Sequence, residues 1–169
     1  MQSQSKATRL TLSAILAALA MIFSYIEFLV PFSVGIPGVK LGIANLVIVI
    51  ALYALDFRYA FAINIVRILL NGFMFTGVFA MLYALSGGIL SIIVMGALKK
   101  TDKFSMVGVS MAGGVAHNLG QLIVAAIMVE NLKMFLYFPV LLFSGMLTGI
   151  LIGMGGTILF RSLPKQLFK

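Results

Sequence analysis

Residues 106–129, MVGVSMAGGVAHNLGQLIVAAIMV, decide the fold class. The segment contains no Asp, Glu, Lys or Arg. As an α-helix it would extend about 36 Å, enough to cross the roughly 30 Å hydrocarbon core of a bilayer. Nevertheless, it places His117, Asn118 and Gln121 near its middle. The stretch therefore predicts a membrane-spanning helix that carries hydrogen-bonding side chains at depth.

The composition of the whole chain predicts the same class. Of its 169 residues, 62% are hydrophobic and 9% are charged, and the mean hydropathy is +1.18. Soluble domains carry roughly 25% charged residues. We therefore expect an all-α integral membrane protein that consists of a single transmembrane domain, residues 1–169. The chain has no cysteine, which excludes disulfides and thiolate metal sites.

Apolar runs separated by short polar breaks predict a bundle of six transmembrane helices. The weakest break lies within residues 59–98, where Arg67 is the only charged residue. A single helix of that length would be about 60 Å long, twice the hydrocarbon thickness, so a turn is predicted near Gly72 to Gly77. The approximate spans are residues 8–30, 40–56, 59–77, 79–98, 106–129 and 136–160.

The distribution of basic residues predicts the orientation. With six spans, Lys40 and Lys133 fall on one side of the membrane. The other side collects Lys6, Arg9, Arg58, Lys99, Lys100, Lys103, Arg161, Lys165 and Lys169. Because cytoplasmic loops are enriched in Lys and Arg, both termini are expected in the cytoplasm of a multi-pass cell-membrane protein. The net charge of +8 is then a topology signal, and no nucleic-acid partner is expected.

The N-terminal apolar run has an alternative interpretation. Lys6 and Arg9 precede it, as in a cleaved signal peptide. The run continues to Val30 without a polar region around a cleavage site, which favours a first membrane span.

Small residues form stripes on two of the predicted helices. On the first, Ala14, Ala17 and Ala18 share a face, which would either pack inside the protein or dock another membrane subunit. The last span carries Gly145, Gly149 and Gly153 in a GxxxGxxxG ridge, for which internal helix packing is expected.

Polar side chains of several helices are predicted to lie between the bilayer midplane and its outer face. Buried polar groups need partners, so we expect them to line one polar pocket that opens outward. Lys40, Arg67 and His117 favour a ligand with a carboxylate, phosphate or phenolate group. The abundant Met and Phe suit a flat or isoprenoid hydrocarbon part. The candidate substrate-binding residues are Glu27, Lys40, Asn45, Arg67, Asn71, His117, Asn118 and Gln121.

Each of these residues also has a purely structural interpretation. Arg67 would pair with Glu27 and fix helix packing. His117 would donate to a backbone carbonyl. The remaining structural interpretations are hydrogen bonds between helices for Asn64 and Asn118, and an interfacial anchor for Lys40.

The sequence lacks the residues that common enzyme mechanisms need. Its acidic residues are Glu27, Asp56, Asp102 and Glu130, and no two are close in sequence. They cannot form the carboxylate clusters that hold magnesium around a diphosphate. One His excludes a multi-His metal site, and no GxxxxGK[ST] motif occurs. We therefore expect no enzyme, no catalytic residue, no metal and no cofactor.

Two motifs carry a family resemblance. PGVKLGIAN, residues 37–45, and GVAHNLGQ, residues 114–121, resemble the family labelled Gx transporter, also named heptaprenyl diphosphate synthase component I. The resemblance covers most of residues 10–160.

The layout is also similar to the substrate-binding S components of energy-coupling factor (ECF) importers. That resemblance implies that Ala14 to Ala18 docks onto a transmembrane coupling subunit driven by two ATPases. It also implies that PFSVGIPG, residues 31–38, covers an outward-facing site. The expected function is binding of a small organic molecule for import: an anionic compound, a quinone or isoprenoid precursor, or a vitamin-like compound. The alternatives are a non-catalytic accessory subunit of isoprenoid or quinone biosynthesis and a carrier that needs no ATP.

Overall fold

The computed structural model describes residues 6–29 and 42–163, and within these ranges the chain is helical and contains no strand. A π-helical turn, Gly72–Thr76, extends the third helix, and a 3₁₀ helix, Leu132–Tyr137, precedes the sixth. The α-helices are α1 (Lys6–Leu29), α2 (Ile43–Ala54), α3 (Phe57–Asn71), α4 (Val78–Lys100), α5 (Met106–Met128) and α6 (Phe138–Ser162).

Within residues 6–29 and 42–163, five helical segments are long and apolar enough to cross a bilayer. They are Lys6–Leu29, Phe57–Thr76, Val78–Lys100, Met106–Met128 and Leu132–Ser162. The chain is therefore a multi-pass membrane protein. The exception is α2, whose 12 residues extend only about 18 Å. The count of six spans and the cytoplasmic position of both termini stay predictions.

The helix ends follow from local sequence. Gly77 has a φ of 84°, a conformation that glycine adopts without steric cost, and it separates α3 and its π turn from α4 as the length of residues 59–98 predicts. Asp56 caps α3 by accepting hydrogen bonds from the backbone N–H groups of Arg58 (2.8 Å) and Tyr59 (3.2 Å). Ser105 caps α5 by accepting from the N–H of Gly108 at 3.2 Å.

The short helix α2 forms the core of the bundle. Apart from Asn45, its sequence IANLVIVIALYA is hydrophobic on all sides, and such a helix is buried when it lies inside a larger fold. Its buried residues are Ala44, Val47, Ile48, Val49, Ile50, Ala51, Leu52 and Ala54.

Charged side chains contact both ends of α2. At its N-terminus, Glu27 of α1 accepts a hydrogen bond from the N–H of Ile43 at 2.5 Å. Near its C-terminus, the ammonium of Lys99 donates to the carbonyl of Leu52 at 2.5 Å and lies 5.0 Å from the ring centre of Tyr53. An anion at the N-terminus and a cation at the C-terminus both stabilise the helix dipole.

Glycines bring α5 and α6 into backbone contact. Gly145, Gly149 and Gly153 of α6 are buried. A Cβ atom on Gly149 would lie 2.6 Å from the Cα of Met111, and one on Gly153 would lie 2.6 Å from the Cα of Val107. The prediction that the GxxxGxxxG ridge packs inside the protein is confirmed.

Substitution of Gly149 should separate the two helices. Because the new methyl of Gly149→Ala would meet α5 backbone, which cannot rotate away, we expect it to be less stable than Gly155→Ala by about 2 kcal/mol or more. Gly155 is the matched control on the same helix, since its added methyl would meet only a side-chain carbon of Leu46 at 3.6 Å. Unfolding of both variants in detergent measures the difference, and equal stabilities would contradict the packing argument.

The orientation is testable because the chain has no cysteine. Lys103 and Lys133 are exposed on either side of α5. We expect a membrane-impermeant maleimide to label Lys133→Cys in intact cells and Lys103→Cys only after the membrane is opened. The reverse pattern would invert the topology, and labelling of both from one side would show that α5 does not span.

Candidate functional site

A polar cavity with a volume of about 50 Å³ lies between α2, α4, α5 and α6. Glycines and the apolar side chains of Val49, Met95 and Ile152 form part of its wall. Hydrogen-bonding side chains form the rest: Asn45 from α2, Ser91 from α4, Thr148 from α6, and Ser110, His117, Asn118 and Gln121 from α5.

One face of α5 supplies most of the polar wall. Ser110, His117 and Gln121 recur at intervals that bring residues to the same side of a helix. Gly113 and Gly114 lie on this face between them and also line the cavity. Because glycine has no side chain, this part of the face leaves room for the cavity.

The structure brings half of the predicted site residues together. Asn45, His117, Asn118 and Gln121 line the cavity, whereas Glu27, Arg67 and Asn71 are not part of its lining. Lys40 and the proposed covering loop, residues 31–38, lie outside the described residues. Of the three groups from which an anionic ligand was predicted, only His117 lines the cavity as described.

Arg67 is buried, with 9% of its surface exposed, and its guanidinium holds three helices together. It donates to the side-chain oxygens of Asn64 at 2.9 Å, Asn45 at 3.4 Å and Ser24 at 3.4 Å. A charged side chain inside a membrane protein is stabilised by such polar partners.

Glu27 of α1 contacts α2 and interacts with Arg67 of α3. Its carboxylate caps α2 through the N–H of Ile43 and interacts electrostatically with Arg67. The predicted association of Arg67 with Glu27 is therefore present as a charge interaction, and the guanidinium also donates hydrogen bonds to neutral side chains. Together, Glu27, Arg67 and Asn45 join α1, α3 and α2.

Asn71 lies at the end of α3, away from the cavity lining. Its backbone carbonyl accepts a hydrogen bond from the hydroxyl of Thr76 at 3.4 Å, within the π-helical turn. This contact is one that a helix end makes for its own stability.

Two asparagines make the hydrogen bonds between helices that their structural interpretation predicts. The amide nitrogen of Asn64 donates to the carbonyl of Gly88 on α4 at 3.0 Å. The amide nitrogen of Asn118 donates to the carbonyl of Leu141 at 2.7 Å and to the hydroxyl of Ser144 at 3.2 Å, both on α6. Asn118 thus fixes α5 to α6 and lines the cavity at the same time.

Gly87 of α4 makes room for His117. A Cβ atom at Gly87 would lie 2.7 Å from the carbonyl oxygen of His117 and 3.1 Å from Cε1 of its imidazole. The imidazole is therefore held between α4 and the cavity. Its predicted donation to a backbone carbonyl stays a prediction.

Sequence reasoning missed three hydrogen-bonding side chains of the cavity, namely Ser91, Ser110 and Thr148. Small hydroxyl residues are common in membrane helices, where they hydrogen-bond to their own backbone, and they attract no attention singly. For Ser110, the signal was its position seven residues before His117, on the same face of α5.

The alanines of the stripe on α1 differ in burial. Ala17 is partly buried and packs against the core, whereas Ala14 and Ala18 are exposed. The buried side of α1 consists of Ser13, Ala20 and Ser24. Ala14 and Ala18 are therefore available to lipid or to another protein.

These features define the class: an α-helical multi-pass membrane protein with a polar cavity inside its helix bundle. Within the described residues, no three His, Asp or Glu side chains come together as metal ligands. Over residues 16–159 the chain matches the family described as heptaprenyl diphosphate synthase component I. It belongs to this family, as its motifs predict. No curated protein and no protein of solved structure matches the chain.

Loss of the Arg67 guanidinium should destabilise the bundle. Arg67→Ala removes the donor shared by Ser24, Asn45 and Asn64, and we expect a loss of about 3 kcal/mol in the free energy of unfolding. Arg58→Ala, on the exposed surface of the same helix, is the control and should change stability little. Unfolding in detergent compares the two, and similar values would show that the hydrogen bonds of Arg67 are dispensable.

Proposed function

We propose that the chain is the membrane-embedded substrate-binding subunit of an importer for a small organic molecule in the cell membrane. The observation that carries this proposal is the cavity, where hydrogen-bonding side chains from α2, α4, α5 and α6 converge. Ligand sites combine apolar walls with a few placed polar groups, and in helix bundles they form between helices.

The surface of α1 supports a partner of the ECF type. Ala14 and Ala18 are one turn apart and exposed, and small residues let two membrane helices approach closely. The partner in this proposal is a transmembrane coupling subunit that carries two ATPases. Binding at the cavity and docking at α1 then use separate surfaces of one chain.

The alternative function is a non-catalytic accessory subunit of isoprenoid or quinone biosynthesis. It is favoured by the family's description as a synthase component. In that case the exposed face of α1 would contact a prenyltransferase. A carrier that works without ATP is the third function, and uptake by the purified chain alone in liposomes would establish it.

Affinity purification from mildly solubilised membranes separates the first two functions. We expect the tagged chain to retain a coupling protein with its ATPases. The double variant Ala14→Leu, Ala18→Leu should reduce their recovery roughly tenfold, because larger side chains keep the helices apart.

The matched control places the same change on other exposed alanines. Ala62 on α3 and Ala97 on α4 are also exposed, and their leucine variants should retain the partners. Recovery of a prenyltransferase in place of the ATPases would replace the importer with the accessory subunit. Equal loss in both double variants would remove α1 as the docking face.

A further inference from the structure

Two buried hydroxyl groups in the cavity have no hydrogen-bond partner among the residues that the structure describes. Ser91 is 7% exposed and Ser110 is 3% exposed, and both line the cavity. Neither hydroxyl makes a hydrogen bond within the part of the chain that the structure describes, whereas Ser86, on the same helix as Ser91, donates to the carbonyls of Tyr83 and Gly120. Buried polar groups rarely go without partners, so these hydroxyls are suited to bind a molecule in the cavity.

Neighbouring residues fix which group Asn118 and Thr148 present to a ligand. Asn118 uses its amide nitrogen for Leu141 and Ser144, which leaves its carbonyl oxygen as an acceptor. Thr148 donates its hydroxyl hydrogen to the carbonyl of Ser144 at 2.9 Å, so its oxygen can only accept a further bond.

Asn45, unlike Asn118 and Thr148, presents a hydrogen-bond donor to the cavity. Its side-chain oxygen accepts from Arg67, which leaves the amide nitrogen as the donor toward the cavity. That nitrogen would lie 3.4 Å from a Cβ atom added to Gly42, which also lines the cavity. Arg67 is therefore a positioning residue that acts through Asn45 and does not itself line the cavity.

The described lining carries no Asp, Glu, Lys or Arg side chain. A charged group bound there would lose its hydration, which is costly inside a membrane protein, and only the His117 imidazole of the described lining can carry a charge to pair with it. The volume of about 50 Å³ corresponds to about three or four water molecules. The cavity therefore suits an uncharged group of a few non-hydrogen atoms.

From this arrangement we infer that the cavity recognises an uncharged polar head with adjacent hydrogen-bond acceptor and donor atoms, of the carboxamide, lactam or imide type. Its carbonyl oxygen accepts from the amide nitrogen of Asn45, and its N–H groups donate to Asn118 and Thr148. The hydroxyls of Ser91 and Ser110 can each donate or accept a hydrogen bond. The inference rests on the proposed binding function and names the chemistry of the molecule bound.

Three probes of equal shape and different charge test the inference: benzamide, benzoate and benzamidinium. Binding to the purified full-length chain is measured by ligand-observed NMR. We expect benzamide to bind roughly fivefold more tightly than either ion. A ratio of this size corresponds to the contribution of about one hydrogen bond to the binding free energy.

Serine variants locate the binding in the cavity. The double variant Ser91→Ala, Ser110→Ala should weaken benzamide binding by about fivefold. Its stability without benzamide should change little, because it removes buried hydroxyls that lack protein partners. The control Ser86→Ala removes a hydroxyl that bonds α4 to α5 and should leave benzamide affinity within about twofold.

Three outcomes would overturn the inference. If benzoate bound more tightly than benzamide, the cavity would recognise an anionic group. The proposed binding function would then still hold. Equal binding of all three probes, or binding by none of them to folded protein, would show that the cavity does not select a neutral amide. The importer proposal fails separately, through the proteins recovered with the tagged chain.

Discussion

The backbone contact between α5 and α6 is the constraint from which the site follows. With Gly145, Gly149 and Gly153 on one helix and Gly114 on the other, backbone atoms of the two helices lie in direct contact. Association of helices in a bilayer depends on such packing, since lipid offers no hydrophobic driving force. Close approach also brings Asn118 within 2.7 Å of the carbonyl of Leu141. Two of these glycines, Gly114 and Gly149, also line the cavity, where they leave a part of its wall without side chains.

Asn45 connects the two polar regions of the molecule. Its oxygen belongs to the hydrogen-bond network of Arg67, and its side chain lines the cavity. A buried guanidinium is costly unless its partners are in place, so Asn45 is held in one orientation by a residue behind it. The charged network therefore contributes to recognition without placing a charge in the described lining.

Sequence periodicity and length predicted the helices well, because apolar runs and bilayer thickness leave few alternatives. The turn near Gly77 followed from length alone. The start of α2 at Ile43 was not predicted. Gly42, directly before it, has a φ of 71°, a conformation that glycine adopts without steric cost, and Glu27 accepts a hydrogen bond from the N–H of Ile43. Nor could sequence place Arg67 outside the cavity. The contacts of Arg67 with Ser24 and Asn45 depend on how α1, α2 and α3 pack, which the sequence does not show.

The charges at the ends of α2 have a consequence for motion. Glu27 holds one end of this helix and Lys99 holds the other, and each interaction requires a particular axial position. Sliding α2 by one turn, about 5.4 Å, would break both contacts. Any conformational cycle of this protein should therefore leave α2 in place as a fixed reference, with rearrangement confined to the helices that surround it.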